Sequence, residues 1–263
     1  MENLFRTFLK FPTKKLEEFS LKNPLTIHAM PGMGMVGKNA LDHIIKNLHP
    51  KPEIILEIYS TAFPSNVIIM EDGTFNAPKI QFFLYQNDEL DHDIIFVTGD
   101  SQPKSVMGTN NLSALITDQL NILKISFIMS LAATPVNMPR DSPKLFITVT
   151  NTDDLEYFKE MGIKNFIRGA VTGMNGLVVA LSKMQHDIDG CVILSETYPH
   201  FIEDLSSSVS IVKFLNEYLR ISISTSELEE KALEIKNFYD SIIRKKKKQK
   251  KSRARPEDLG YIR

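Results

Sequence analysis

The sequence has a single cysteine, Cys191, which excludes an intramolecular disulfide and any multi-cysteine metal site. It lies in the apolar run CVIL and reads as a buried strand thiol, because a nucleophilic cysteine needs an electropositive, partly exposed setting. Long apolar runs are also missing. Segments such as IIFVTG are broken by polar residues well short of the roughly 18 that cross a bilayer, and MENLFRTFLKFPTKK holds no apolar stretch of signal-peptide length. A soluble, unexported, cytoplasmic protein is expected. With 263 residues, 43% of them hydrophobic, the chain can bury one large core, with or without an appendage.

Catalytic signatures are equally scarce. His28, His43, His49, His92, His186 and His200 show neither HExxH nor paired metal spacing, and no GxSxG elbow is present. His28, within a strand, reads as a core histidine. No catalytic residue, metal or cofactor is expected.

The formal charge of −1 conceals a division. RKKKKQKKSRAR, from Arg244 to Arg255, holds nine basic and no acidic residues, whereas residues 1–243 carry 21 basic and 30 acidic side chains. So dense a run repels itself and has no apolar face, so it is expected to be solvated and mobile.

Strands and helices alternate along the rest. Strands are expected at 25–30, 53–59, 66–70, 79–85, 93–98, 125–132, 145–150, 165–171 and 191–195. Helices are expected at 36–48, 105–123, 152–161 and 174–186. This alternation, with short antiparallel pairs in the middle, predicts a three-layer α/β domain. Two further helices follow, at 203–219 and 225–245. In the second, Leu228, Ala232, Ile235, Tyr239 and Ile242 form a seam that can pack on its own domain or on another subunit. The chain thus divides into an α/β domain (1–222), a helix (223–245) and a flexible basic tail (246–263).

The sharpest motif is Gly32-Met33-Gly34-Met35-Val36-Gly37, a literal GxGxxG after a strand and opening a helix, with Glu57 twenty residues beyond Gly37. Such glycines let backbone N–H groups approach a pyrophosphate at the positive end of a helix. Two features oppose that reading. Glu57 falls inside its strand instead of at the tip, and Pro31 removes a backbone donor from the turn. Nor is this a phosphate loop, since Asn39 stands where Ser or Thr should bind magnesium. A close-packed structural turn is favoured. Asp100 and Glu196, after TGD and SET, are candidates to line a crevice with Gly32, Gly34 and Gly37, or simply to cap their loops.

Four phrases carry a resemblance: PGMGMVGKNALDHIIKNL (31–48), FVTGDSQP (96–103), GAVTGMNGLVVALSK (169–183) and LSETYPHFIEDLSSSVSIVKFLNEYL (194–219). In this order and spacing, over about residues 20–245, the chain resembles the proteasome assembly chaperone (PAC2) family, especially its archaeal members. The resemblance implies an α/β fold with a three-layer mixed sheet similar to nucleoside phosphorylases and no established catalytic centre. It further implies a homo-oligomer that associates with α-subunits of the 20S proteasome. Archaeal members tend to carry a charged tail whose last residues enter pockets between α-subunits, making Leu259, Gly260, Tyr261, Ile262 and Arg263 the candidate partner-binding residues. The usual docking ending is a hydrophobic residue, tyrosine and any residue. Here Tyr261 stands third from the end, and Ile262 takes the tyrosine position.

Three functions therefore compete. The first is a proteasome-binding chaperone or accessory factor. The second is a nucleoside- or nucleotide-binding enzyme of phosphorylase-like fold, which requires a polar crevice beside Gly34, Asp100 and Glu196. The third is nucleic-acid binding through the tail, expected to be weak because the body is acidic and the basic run lacks interleaved aromatics.

Overall fold

The computed structural model describes residues 5–253. Its elements are β1 (Thr7–Lys10), β2 (Leu25–Ala29), α1 (Val36–Asn47), β3 (Glu53–Ser60), β4 (Ile68–Ile69), β5 (Phe75–Asn76), β6 (Lys79–Tyr85), β7 (Ile94–Gly99) and α2 (Val106–Ile122). They continue as β8 (Phe127–Pro135), β9 (Leu145–Val149), α3 (Asp154–Glu160), β10 (Lys164–Asn165), α4 (Met174–His186), β11 (Gly190–Thr197), α5 (Leu205–Leu219) and α6 (Ser226–Arg253).

Nine strands form one mixed sheet in the order β1-β3-β6-β7-β2-β8-β11-β9-β10. Its centre, β7-β2-β8-β11, is parallel. Parallel neighbours need crossover connections, and the helices supply them on both faces. That is why these strands are predominantly apolar: every residue of β2, β7 and β11 is buried. Alternate strand residues divide between two cores. Ile27, Phe96 and Leu131 pack with α1 and α5, whereas Val97, Ile128 and Val192 pack with α2 and α4. The fold is the expected mixed α/β one.

Local chemistry sets the helix starts. Ser105 accepts the Gly108 N–H at 3.0 Å to begin α2, and the Asp204 carboxylate accepts the Ser207 N–H at 3.1 Å to begin α5.

Several boundaries differ from the sequence-based expectation. The strand expected at 165–171 shrinks to Lys164–Asn165. After the Phe166 N–H bonds the Ile147 carbonyl at 2.7 Å, the chain leaves the sheet edge, with Ile167 93% exposed and Gly173 at φ 75°. The strand expected at 66–70 is the two-residue β4, which pairs only with β5 in a separate hairpin. β1, not anticipated, adds the edge beside β3.

The last helix also outruns its expected end at 245 and continues to Arg253. Lysine, arginine and glutamine are good helix formers, and the first helix-stopping residue after Ser226 is Pro256. The seam expected on it faces inward from Leu228 to Tyr239, and the Ile242 side chain lies outside the described residues. Leu228 is buried, Ala232 and Ile235 pack against the core, and the Tyr239 ring lies 4.7 Å from that of Phe201. That stripe is covered by its own domain through Tyr239. Residues 254–263, including Leu259, Gly260, Tyr261, Ile262 and Arg263, lie outside the described residues.

Candidate functional site

The glycine turn sits where β2 ends and is tied down on both sides. Asn175, at the start of α4, accepts the Met30 N–H at 2.7 Å and donates to the Met30 carbonyl at 3.1 Å. Gln102 donates to the Pro31 carbonyl at 2.5 Å and accepts the Met174 N–H at 2.7 Å. On the other side the Asp204 N–H bonds the Gly34 carbonyl at 2.8 Å, and Ser208 Oγ donates to the Val36 carbonyl at 3.0 Å.

Close packing explains Gly34 and Gly37. Gly34 has φ 60°, and an added Cβ would stand 2.9 Å from Thr197 Oγ1; at Gly37 it would stand 2.5 Å from the Leu131 carbonyl oxygen. Gly37 lets α1 lie directly on β8. These contacts come from the body of the protein itself, and they favour the structural reading of the turn. A phosphate here would also meet a carboxylate: Asp204, buried and bonded by Thr197 Oγ1 at 2.8 Å, packs against Gly34.

The remaining part of the dinucleotide pattern fails on topology. Glu57 lies on β3, and β6 and β7 intervene before β2, a lateral separation of about 14 Å at three strand spacings. The carboxylate accepts from Lys79 at 2.5 Å, Lys10 at 2.9 Å, Gln81 at 3.0 Å and the Tyr59 hydroxyl at 3.2 Å. Burial alone would raise its pKa, but the hydrogen bonds and charges of Lys79 and Lys10 outweigh this and bring it down to about 2. Glu57 therefore anchors an ionic cluster. Lys79→Met is expected to cost about 1–2 kcal/mol in urea unfolding, limited by the donors that remain; Lys10→Met, at an exposed position, should cost much less.

A cavity of about 360 Å³ opens at the C-terminal edge of β2 and β8, where Gly32 and Gly37 meet Gln102, Ala133, Val171 and Asn175. α1 leaves β2 on one face and α2 leaves β7 on the other, the arrangement that creates a crevice in an α/β sheet. Among the described residues, no ionisable side chain lines it. Gly34 faces away from it, toward Thr197. Asp100 and Glu196 lie outside it as well, at the ends of β7 and β11, which are three strand spacings apart. The Asp100 carboxylate accepts the Lys79 N–H at 3.0 Å. Glu196 accepts the Lys144 N–H at 3.1 Å, with Arg140 Nε at 3.8 Å. Both cap loops, so the crevice grouping proposed from sequence is divided among separate contacts.

Two other reactive groups are sealed. His28 Nδ1 lies 2.8 Å from Ser130 Oγ, but both residues are fully buried, and burial lowers the His28 pKa to about 3. Burial likewise pushes the Cys191 thiol well above its usual range. Among the described residues, no group of three histidine, cysteine, aspartate or glutamate side chains is placed to hold a metal ion, and no helix is long and apolar enough to cross a membrane.

The sequence model of the PAC2 family matches residues 26–243. The chain belongs to the PAC2 family. An uncharacterised protein of Methanocaldococcus jannaschii is 26% identical over 97% of this chain and 98% of its own. Among solved structures, the chain resembles Pyrococcus furiosus PbaB, described as an archaeal proteasome activator, at 24% identity and TM-score 0.79, over 90% of this chain and 98% of the other. It also resembles Pyrococcus furiosus PbaA, described as an archaeal homologue of proteasome-assembly chaperone, at 22% identity and TM-score 0.70, over 94% and 100%.

In this PAC2 protein the four phrases that carried the resemblance meet at one place. Pro31–Gly37, Gln102, Asn175 and the Thr197–Asp204–Ser208 group are joined by the hydrogen bonds above. Gln102 and Asn175 are the residues that sequence reasoning missed. Each is an amide beside a glycine- or proline-rich turn, with two functions able to satisfy two backbone groups, but their partners are 71 to 145 residues away.

Proposed function

We propose that this PAC2 protein is a proteasome assembly chaperone-like or accessory protein. It binds α-subunits of the 20S proteasome, partly through Leu259, Gly260, Tyr261, Ile262 and Arg263, acts as a homo-oligomer in the cytoplasm, and catalyses no reaction. The observation that carries this reading is the family match over residues 26–243, supported by the descriptions of PbaB and PbaA. The crevice chemistry is compatible with it: among the described residues the polar side chains of the lining are the amides of Gln102 and Asn175 and the Thr172 hydroxyl.

A free C-terminal carboxylate can pair with a lysine in a pocket, while tyrosyl and apolar neighbours fill the groove. Isoleucine in the usual tyrosine position removes a hydroxyl contact and favours docking over gate opening. Immobilised α-subunits provide the test. Deleting residues 259–263 is expected to weaken binding at least about tenfold, equivalent to losing one good charge-assisted contact. Unchanged affinity would reject the tail as a docking element and confine binding to the body.

The crevice position keeps a nucleotide-binding reading in view, and Asp204 opposes it. A thermal shift of several degrees with millimolar NAD, ATP or a nucleoside would favour that alternative.

A further inference from the structure

At the end of β2 opposite the glycine turn lies a second cavity, of about 280 Å³. The turn between β6 and β7 supplies Glu89, Asp91 and His92 to its wall, α3 supplies Tyr157, and the end of α5 supplies Tyr218 and Arg220. Three charges share this space without pairing. Glu89 and Asp91 are exposed carboxylates, and Arg220 is the one lysine or arginine of the lining. Among the described residues, none of these three side chains makes an ion pair or a hydrogen bond. Elsewhere neighbouring opposite charges pair, as Lys213 does with Glu229 at 2.8 Å and Lys183 with Asp189 at 3.1 Å. The other charged groups around His92 are engaged: Asp93 accepts from the Lys22 N–H at 2.7 Å and Gln86 at 3.0 Å, and the Lys22 ammonium donates to the Leu90 carbonyl at 2.9 Å.

The rest of the wall suits a small molecule that carries both signs of charge and an apolar group. The cavity adjoins the C-terminal, electronegative end of α5, which adds to the two carboxylates in favouring a cation. Tyr157 is 54% exposed and offers a ring face, whereas Phe158 and Phe214 stack on Tyr218 at 5.8 and 5.7 Å and leave chiefly its edge. Leu25 completes the apolar side. The His92 imidazole is partly exposed, yet its Nε2 is sheltered without a hydrogen-bond partner, a polar group that a ligand can satisfy once the ring turns.

We propose that this cavity binds a free α-amino acid with an apolar side chain. The ammonium group of the ligand sits with Glu89 and Asp91 at the end of α5, and its carboxylate pairs with Arg220, whose planar guanidinium can take both oxygens. Its side chain lies on the Tyr157 ring and Leu25. Only a zwitterion answers all three charges: a simple cation leaves Arg220 without a partner, and a simple anion meets two carboxylates. The volume agrees, because it falls just below the range of about 300–1,000 Å³ that encloses drug-sized ligands. The site is separate from the crevice at the glycine turn, and its occupancy requires no proteasome contact.

Calorimetric titration of the purified full chain with L-phenylalanine at neutral pH tests this without any proteasome component, so its failure is distinct from failure of the proposed function. Binding is expected with a Kd on the order of 1 mM or below. Phenethylamine and 3-phenylpropionate each keep the ring and one charge, and each should bind at least about tenfold more weakly, the loss of one charge-assisted contact. Arg220→Gln should weaken phenylalanine about tenfold and remove its advantage over phenethylamine. Glu89→Gln with Asp91→Asn should instead remove its advantage over 3-phenylpropionate. All three positions are exposed, and the β6–β7 turn is held by Asn87, which accepts the Glu89 and Leu90 N–H groups at 3.0 Å each, so thermal melts of the variants should match wild type. No binding of phenylalanine at about 10 mM, equal binding of the single-charge analogues, or wild-type selectivity in the variants would overturn the proposal.

Discussion

Replacing Gly37 by alanine is expected to lower the thermal midpoint by about 5–10 °C, corresponding to about 3 kcal/mol of overpacking in a chain of this size. The added methyl would stand 2.5 Å from the Leu131 carbonyl oxygen and 2.8 Å from its carbon, atoms of the central strand β8. That strand is paired on both sides and cannot retreat without loosening its ladders with β2 and β11. Gly73→Ala is the contrasting case: its added Cβ meets nothing within 4 Å, leaving only the cost of φ 81°. Differential scanning calorimetry of both variants distinguishes packing at the turn from a general intolerance of alanine. A Gly37→Ala midpoint within about 1 °C of wild type would refute the close-packed account of the glycine motif.

Acidification is expected to remove about 2 kcal/mol of stability between pH 7.5 and pH 5 through His28 alone. Burial lowers its pKa from 6.5 to about 3, so the folded chain holds a neutral imidazole where the unfolded chain takes up a proton. The unfolded state therefore binds more protons, and stability falls as pH descends through 6.5, continuing toward about 3. His92 is shifted in the same direction, again first by burial, so the difference between wild type and His28→Gln isolates His28. Glu57, with its pKa lowered to about 2, loses its contribution below about 4.5 and leaves the pH 5–7.5 window largely untouched. Urea unfolding at pH 7.5 and 5 measures both slopes. Equal pH dependence in wild type and His28→Gln would show that the imidazole is not sealed in the core.

The contrast between these residues explains how far the sequence could be read. Periodicity located α4 at 174–186 and β6 at 79–85 because their burial patterns follow one helix face or one buried strand. It overextended the 165–171 segment, since an apolar stretch at a sheet edge has a strand's composition without a second neighbour to pair with. The GxGxxG motif correctly marked a tight turn before a helix, but the same residue pattern serves phosphate binding or backbone packing. Only Thr197, Asp204 and Leu131, far away in sequence, separate the two. Asp100 and Glu196 were recognisable as residues after strands. Their separation was hidden because strand order, with β2 and β8 between β7 and β11, is a tertiary property.

The proposed function has this PAC2 protein bind the proteasome rather than transform a ligand. Affinity capture with the full chain from cells of its own source, without added nucleotide and followed by mass spectrometry, tests it most directly. The account predicts that 20S α-subunits are recovered as the main specific partners and that their recovery falls with a bait lacking residues 259–263. Absence of α-subunits, with capture unchanged by that deletion, would contradict it.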